Sequence, residues 1–328
     1  MKISIAKESD WFEQLDTDAQ DAYVKEHPRS KYTAQHKADK KKQEPKKTTR
    51  ADMLTEVAKT TDKGRVGPDN KPLPLHIQQL GIPPAWTDVH YSKDPNADLL
   101  CTGRDAKGRL QPVYSEKFSK TQAEAKFLRV QALAGEFKGI QDQNAKNQKS
   151  RNLKIKDNAD CMSLIMATGL RPGSDADTGA EKKAYGATTL RAEHVTIKKG
   201  QVVLNFVGKK GVNLSIPVED PVLAAMLKKR KKLAGADGKL FPKTNDTALQ
   251  EYSHTLDGGN FKPKDFRTNL ACSEALKQVA TMSKPSNEKE YKKAVMDVAK
   301  SVSKKLGNTP VVCLQSYINP VIFASWRT

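Results

Sequence analysis

Near the end of the chain, the run LGNTPVVCLQSYINP (residues 306–320) carries one hydroxyl suited to nucleophilic attack, that of Tyr317. A phenol oxygen attacks a phosphodiester only with help: fixed cations around the non-bridging oxygens and a proton donor for the departing oxygen. Residues fit for both tasks stand upstream. ATGLRPGSD sets Arg171 just past the end of an apolar helix, so that a rigid element carries it. KPKDFRTNL sets Arg267 in the first turn of a helix, on the same side as Lys264. A guanidinium pairs bidentately with phosphate and keeps its charge, which suits these two arginines to clamping it. NFVGKKG sets Lys209 and Lys210 in a hairpin turn over a sheet. A lysine buried among other cations releases its proton closer to neutrality, which suits the leaving group. Taken singly, each has a bland reading: salt-bridged arginines, turn lysines, a packed aromatic. Their combination and order point to phosphoryl chemistry.

The composition fits a polyanionic partner. Lys plus Arg number 57 against 38 Asp plus Glu, a net charge of +19 spread along 328 residues. Such a field attracts nucleic acid first and anionic membrane second. Cys101, Cys161, Cys272 and Cys313 lie too far apart for zinc-site or disulfide spacings, and the six histidines form no HxxxH pair. There is no GxxxxGKS/T loop. No cofactor, nucleotide or metal is therefore expected. No apolar run reaches the roughly 18 residues of a membrane span, and MKISIAKESDWF lacks the apolar stretch of a signal peptide. The expectation is a soluble cytoplasmic protein that does not engage a membrane.

The elements that must position these residues divide the chain in three. Residues 1–60 hold an amphipathic helix, capped by Ser9 and ended by Pro28, and a Lys-rich run HKADKKKQEPKKTTR that reads either as a phosphate-sliding tail or as a solvated linker. Residues 61–120 are rich in Pro and Gly and carry short strand patterns, WTDVHY and RLQPVY, as a small β domain does. Residues 121–328 are mainly helical: 121–141, then a helix ending at Gly169, then 220–233, 246–256, 264–282 and 287–306. One interruption, residues 187–218, reads as three strands, TTLRAEHVTI, QVVLNFVG and VNLSIPV, joined by two KKG turns. The fold class is α+β.

IPPAWTDVHY, TGRDAKGRLQPVY, LRPGSD, YGATTLRAEHV, FVGKKG, DFRT and LGNTPVVCLQSYINP together, over residues 81–320, resemble the type IB DNA topoisomerases in their bacterial and poxvirus-like branch. That resemblance implies a clamp of two domains closing as a monomer on duplex DNA, the larger being of the DNA breaking-rejoining type. It implies relaxation of supercoils of both signs through a 3′-phosphotyrosyl intermediate, without ATP or metal. Tyr317 matches the family's nucleophile, Arg171 and Arg267 its two arginines, and Lys209 the lysine that protonates the 5′ oxygen, with Lys210 still open for that role. The position that is histidine in poxvirus and nuclear members is Asn308, as in bacterial ones. Asparagine donates a neutral hydrogen bond but carries neither proton nor charge. Arg104, Lys107, Arg109, Tyr114, Tyr185, Arg191, Lys210 and Lys264 are the candidates for DNA contact. A solvated turn is the equal alternative for Arg104, Lys107 and Arg109, and a solvent-facing strand position for Arg191. His194 reads as structural. Two rival readings are a tyrosine recombinase, which usually has histidine where Lys264 stands, and a non-catalytic DNA-binding protein. The first fifty residues fall outside the resemblance; WFEQLDTDAQDAYVKEHPRSKY is similar to helical segments of tailed-bacteriophage proteins, or is a plain helical tail.

Overall fold

The structure is a computed structural model that describes residues 54, 56–61, 64–68, 70–175, 183–235, 238–256, 259 and 261–327. The N-terminal helix and Lys-rich run read from the sequence lie outside them. The chain divides into two compact units, Met1–Ser119 and Lys120–Thr328.

In the first unit the strands are β1 (Glu56–Val57), β2 (Lys59–Thr61) and β3 (Gly64–Val66). The short helix α1 (Leu75–Gln78) follows, then β4 (Thr87–Tyr91), β5 (Leu99–Arg104) and β6 (Leu110–Tyr114). β1 and β2 begin before residue 60, ahead of the boundary drawn from the sequence. A four-stranded sheet runs β1-β4-β5-β6, beside a β2-β3 hairpin. Pro112 lies on the edge strand β6, where a missing N–H costs no ladder bond. The Arg65 guanidinium organises the IPPAW segment by donating to the carbonyls of Ile82, Pro83, Pro84 and Trp86.

The helix α2 (Glu116–Asn147) begins in the last residues of the first unit and continues into the second; it starts five residues before the expected helix, because Ser115 caps it: its Oγ accepts from Phe118 N at 3.2 Å. The helix α3 (Leu153–Thr168) is capped by Asn152 and stops at Gly169, which takes the left-handed conformation at φ 64°. The antiparallel sheet is β7 (Val195–Lys198), β8 (Gln201–Val207) and β9 (Asn213–Val218). The helices α4 (Pro221–Ala234), α5 (Asp246–Ser253), α6 (Pro263–Thr281), α7 (Glu288–Leu306) and α8 (Pro310–Ser316) complete it, with a 3-10 turn at Pro320–Trp326. The first KKG is a two-residue hairpin turn with Lys199 and Gly200 both at positive φ, 47° and 81°.

One expected strand is wrong in extent. TTLRAEH is not extended: it forms two 3-10 turns, Ala187–Thr189 and Ala192–His194, and only Val195 onward pairs in the sheet. Side chains intercept the backbone donors that a strand would give to its neighbour. Gly186 N donates to Thr189 Oγ1 at 2.9 Å, and Arg191 N donates to His194 Nδ1 at 3.0 Å.

The helix α3 is less apolar than it looks, since Asp157 and Asp160 are buried at 2% exposure each. Arg230 of α4 crosses to both, with Nε 2.9 Å from Asp160 Oδ2. Replacing Arg230 with leucine is expected to destabilise the second unit by about 3–5 kcal/mol, because it strands two buried carboxylates. Urea unfolding of the two proteins side by side reads this directly.

Candidate active site

The site is assembled where the ends of α3, α6, α7 and α8 meet. Arg171 follows the α3 stop in a loop that two glycines pin: a Cβ on Gly186 would fall 2.6 Å from Gly173 Cα. Only two glycines let these backbones touch. Ala187 N then donates to Arg171 O at 2.9 Å and Thr188 N to Pro172 O at 2.8 Å. LRPGSD and YGATT are thus two sides of one contact, and the Arg171 backbone is held between them.

Arg267 lies in the second turn of α6 and not in the first, because the helix starts at Pro263, and it is 2% exposed while Lys264, expected on the same side, faces solvent. Its Nη1 donates to Gly169 O and its Nη2 to Leu306 O at 2.8 Å. These carbonyls close the C-termini of α3 and α7, so two helix dipoles face the cation with their negative ends. Among the described residues no carboxylate pairs with it, and its Nε has no partner. The positive charge is therefore held in place without being neutralised. Burial first, and then the Arg171 cation, depress the Arg267 guanidinium below the usual arginine value, while Tyr317 pulls it back up.

Tyr317 stands at the C-cap of α8, with its N–H on Cys313 O at 2.9 Å. The Arg267 guanidinium carbon lies 4.9 Å from the centre of its ring. Asn308 follows Gly307, the left-handed stop of α7. Its Oδ1 accepts from Cys313 Sγ, and its Nδ2 is buried with no partner among the described residues. Arg171, Arg267, Asn308 and Tyr317 thus form one group.

Lys209 and Lys210 are exposed on the turn that follows the buried Gly208, Lys210 at φ 64°. Leu214 connects this turn to the group: its side chain packs on Gly208 and also on Gly307, the residue before Asn308.

Lys126 of α2 carries no sequence motif, yet its Nζ donates to Ser316 O at 2.9 Å, beside the tyrosine. Burial lowers its pKa; the Lys264 cation adds to this, against Cys272, Tyr317 and Asp265. One turn further along α2, Arg129 forks onto the fully buried Asp265 at 2.8 and 3.1 Å. That pair ties α2 to the first turn of α6 and so fixes where Arg267 begins its reach. The three-residue spacing of Lys126 and Arg129 on one helix face does not single them out in the sequence, because Lys117 and Lys120 share it.

The other DNA-contact candidates lie in more ordinary settings. Arg104 meets Asp88 at 3.3 Å, and Arg109 forks onto Asp105, holding that carboxyl down at about 2. With Lys107 they crown the exposed β5-β6 turn. Tyr114 stacks on Phe118 at 4.9 Å between ring centres. The Tyr185 ring meets His194 edge-on at 4.2 Å, and Arg191 pairs with Glu193 at 3.3 Å. Lys264 is exposed on α6. Among the described residues no helix is long and apolar enough to cross a membrane.

Known sequences match both units of the chain. Residues 115–317, ending on the tyrosine itself, match the family described as eukaryotic DNA topoisomerase I, catalytic core. Residues 70–105 match the bacterial DNA topoisomerase IB N-terminal domain. The chain is 30% identical over 260 residues to DNA topoisomerase 1B of Acanthamoeba polyphaga mimivirus, covering 74% of this chain and 76% of that one. It is 27% identical over 216 residues to the mitochondrial DNA topoisomerase I of Pan troglodytes, covering 62% of this chain and 35% of that longer protein. With a core match of this extent and a relative matched along most of both chains, this α+β protein belongs to the type IB DNA topoisomerases, isomerases that act on duplex DNA.

Proposed function

We propose that Tyr317 is the nucleophile of a relaxation cycle that needs neither ATP nor metal and removes supercoils of both signs. The observation that carries this reading is Arg267, a buried and unneutralised guanidinium fixed by two helix ends 4.9 Å from the Tyr317 ring. The Tyr317 oxygen bonds to a DNA phosphorus as the bond from phosphorus to O5′ breaks; the phenol proton passes to water, and the departing O5′ takes one from Lys209, which recovers it when the strand is resealed. The 3′-phosphotyrosyl ester retains the energy of the broken diester, so resealing is the same displacement run backward. Between the steps the free end rotates. Arg171, Arg267 and the Asn308 Nδ2 hydrogens face the charge that builds on the non-bridging oxygens. The chain acts as a monomer closing as a clamp on DNA, with Arg104, Lys107 and Arg109 exchanging their present contacts for phosphate.

Supercoiled plasmid incubated in EDTA without ATP is expected to relax from either sign. Detergent arrest is expected to leave DNA 3′ ends on the peptide containing Tyr317. Binding without relaxation would mark a DNA-binding protein, and strand exchange between paired specific sites a recombinase. The role of Lys209 has its own test. Lys209→Ala is expected to slow single-turnover cleavage by about 10²–10⁴-fold, the scale of a lost general acid. Sulfur in place of the bridging 5′ oxygen needs no proton to leave, so it restores the rate. The same rescue in Lys210→Ala, and not in Lys209→Ala, would transfer the role to Lys210.

A further inference from the structure

We infer that Cys313 is a positioning residue: its thiol holds the carboxamide of Asn308 by the oxygen, so that the amide presents its N–H end to the phosphate. The inference rests on the reading of Asn308 given above and adds the question of how an amide is kept the right way round. Rotating the amide by half a turn about its last bond exchanges donor for acceptor. With Oδ1 turned toward a phosphate, the same residue would repel the charge it is meant to stabilise. An imidazolium meets no such ambiguity, because both of its nitrogens donate, whereas asparagine at this position needs a restraint from outside itself.

The restraint is visible. Cys313 Sγ lies 2.9 Å from Asn308 Oδ1, and the thiol is fully buried at 0% exposure. The backbone of both partners is fixed. Asn308 N donates to Ser303 O at 3.2 Å, and Cys313 N to Thr309 O at 3.0 Å in the first turn of α8. The opposite end of the amide, Nδ2, is buried and without a partner among the described residues. A buried donor left unpaired costs free energy, so it stays only where a partner arrives later or the alternative is worse. The flipped amide is worse, because it would set the N–H end against a thiol that is a poor acceptor. Burial pushes the Cys313 thiol up to about 11, against the downward pull of Arg267, the Asn308 hydrogen bond and Arg171. The group therefore keeps its proton at neutral pH and remains a donor. A thiolate would also have cancelled part of the positive field that Arg171 and Arg267 prepare for the phosphate.

The test is a double-mutant cycle on the full chain, read as single-turnover cleavage of a duplex substrate at saturating DNA. Cys313→Val removes the donor and is expected to slow cleavage about five- to tenfold, the net worth of one hydrogen bond, with no change in DNA affinity. Cys313→Ser keeps a donor and is expected to recover most of that loss. In an Asn308→Ala background, Cys313→Val is expected to cost nothing further. Equal loss in both backgrounds would mean that Cys313 acts through the fold alone and would overturn the inference. A slow Asn308→Ala beside an unaffected Cys313→Val would overturn it while leaving the role of Asn308 intact. An unaffected Asn308→Ala would overturn both. Should the Cys313 variants not fold, Raman spectra decide. One of the four S–H stretching bands should move to higher frequency in Asn308→Ala, and four unmoved bands would overturn the inference.

Discussion

Tyr317→Phe protein is expected to bind supercoiled plasmid as tightly as its parent and to leave it supercoiled. The substitution removes one oxygen and little else. Tyr317 packs at the edge of the cluster formed by α6, α7, α8 and the C-terminal turn, and phenylalanine fills the same volume. The Arg267 guanidinium keeps a ring face at 4.9 Å and gives up only its contact with the hydroxyl, while its bonds to Gly169 O and Leu306 O still hold it. The fold and the cation that receives the phosphate therefore survive. What is lost is the nucleophile. Losing the nucleophile of a covalent mechanism costs on the order of 10⁶ in rate. Single-turnover cleavage, with fluorescence anisotropy for binding, separates the two quantities. Cleavage within tenfold of the parent would show that another group attacks and would remove Tyr317 from the mechanism.

The neighbourhood of this tyrosine was partly legible in the sequence, for a local reason. Arg171, Arg267, Asn308 and Tyr317 stand next to residues that only a helix end or a turn requires: Gly169 and Gly173, Pro263, Gly307 and Pro310. Such signals act over a few residues and survive in a one-dimensional reading. The contacts that give the site its electrostatics do not. Arg267 and Gly169 are 98 residues apart, and nothing in DFRT says that its arginine will be held by carbonyls instead of a carboxylate. Lys126 is 190 residues from the carbonyl it holds and looks like any exposed lysine of a long helix. TTLRAEH misled in the opposite way. Its β-branched residues favour strand, yet Thr189 and His194 each have a side-chain acceptor within three residues of a free N–H, and local satisfaction won over pairing. Cys313 was indistinguishable from a filler of the core until its distance to Asn308 was known.

Arg267→Lys is expected to be nearly as damaging as Arg267→Ala, with cleavage slowed by about 10²–10³-fold in both. Conservation of charge is not enough here, because the arginine performs three tasks with separate nitrogens. Nη1 and Nη2 satisfy Gly169 O and Leu306 O, two carbonyls that end helices and would otherwise be orphaned. Nε has no partner among the described residues and is a donor free for a phosphate oxygen. A lysine ammonium has three donors but no planar fork, so it cannot span carbonyls on two helices and still face the substrate. Settling between the carbonyls, it would withdraw its charge from the phosphate; reaching for the phosphate, it would leave the carbonyls bare. Two buried acceptors without partners cost about 1–3 kcal/mol each, so both variants should also unfold earlier in urea. Measuring cleavage at a temperature and denaturant level where each variant is folded isolates the catalytic share. Should Arg267→Lys cleave at the parental rate, the charge alone would be sufficient, and the fork held by α3 and α7 would be architecture with no part in the chemistry.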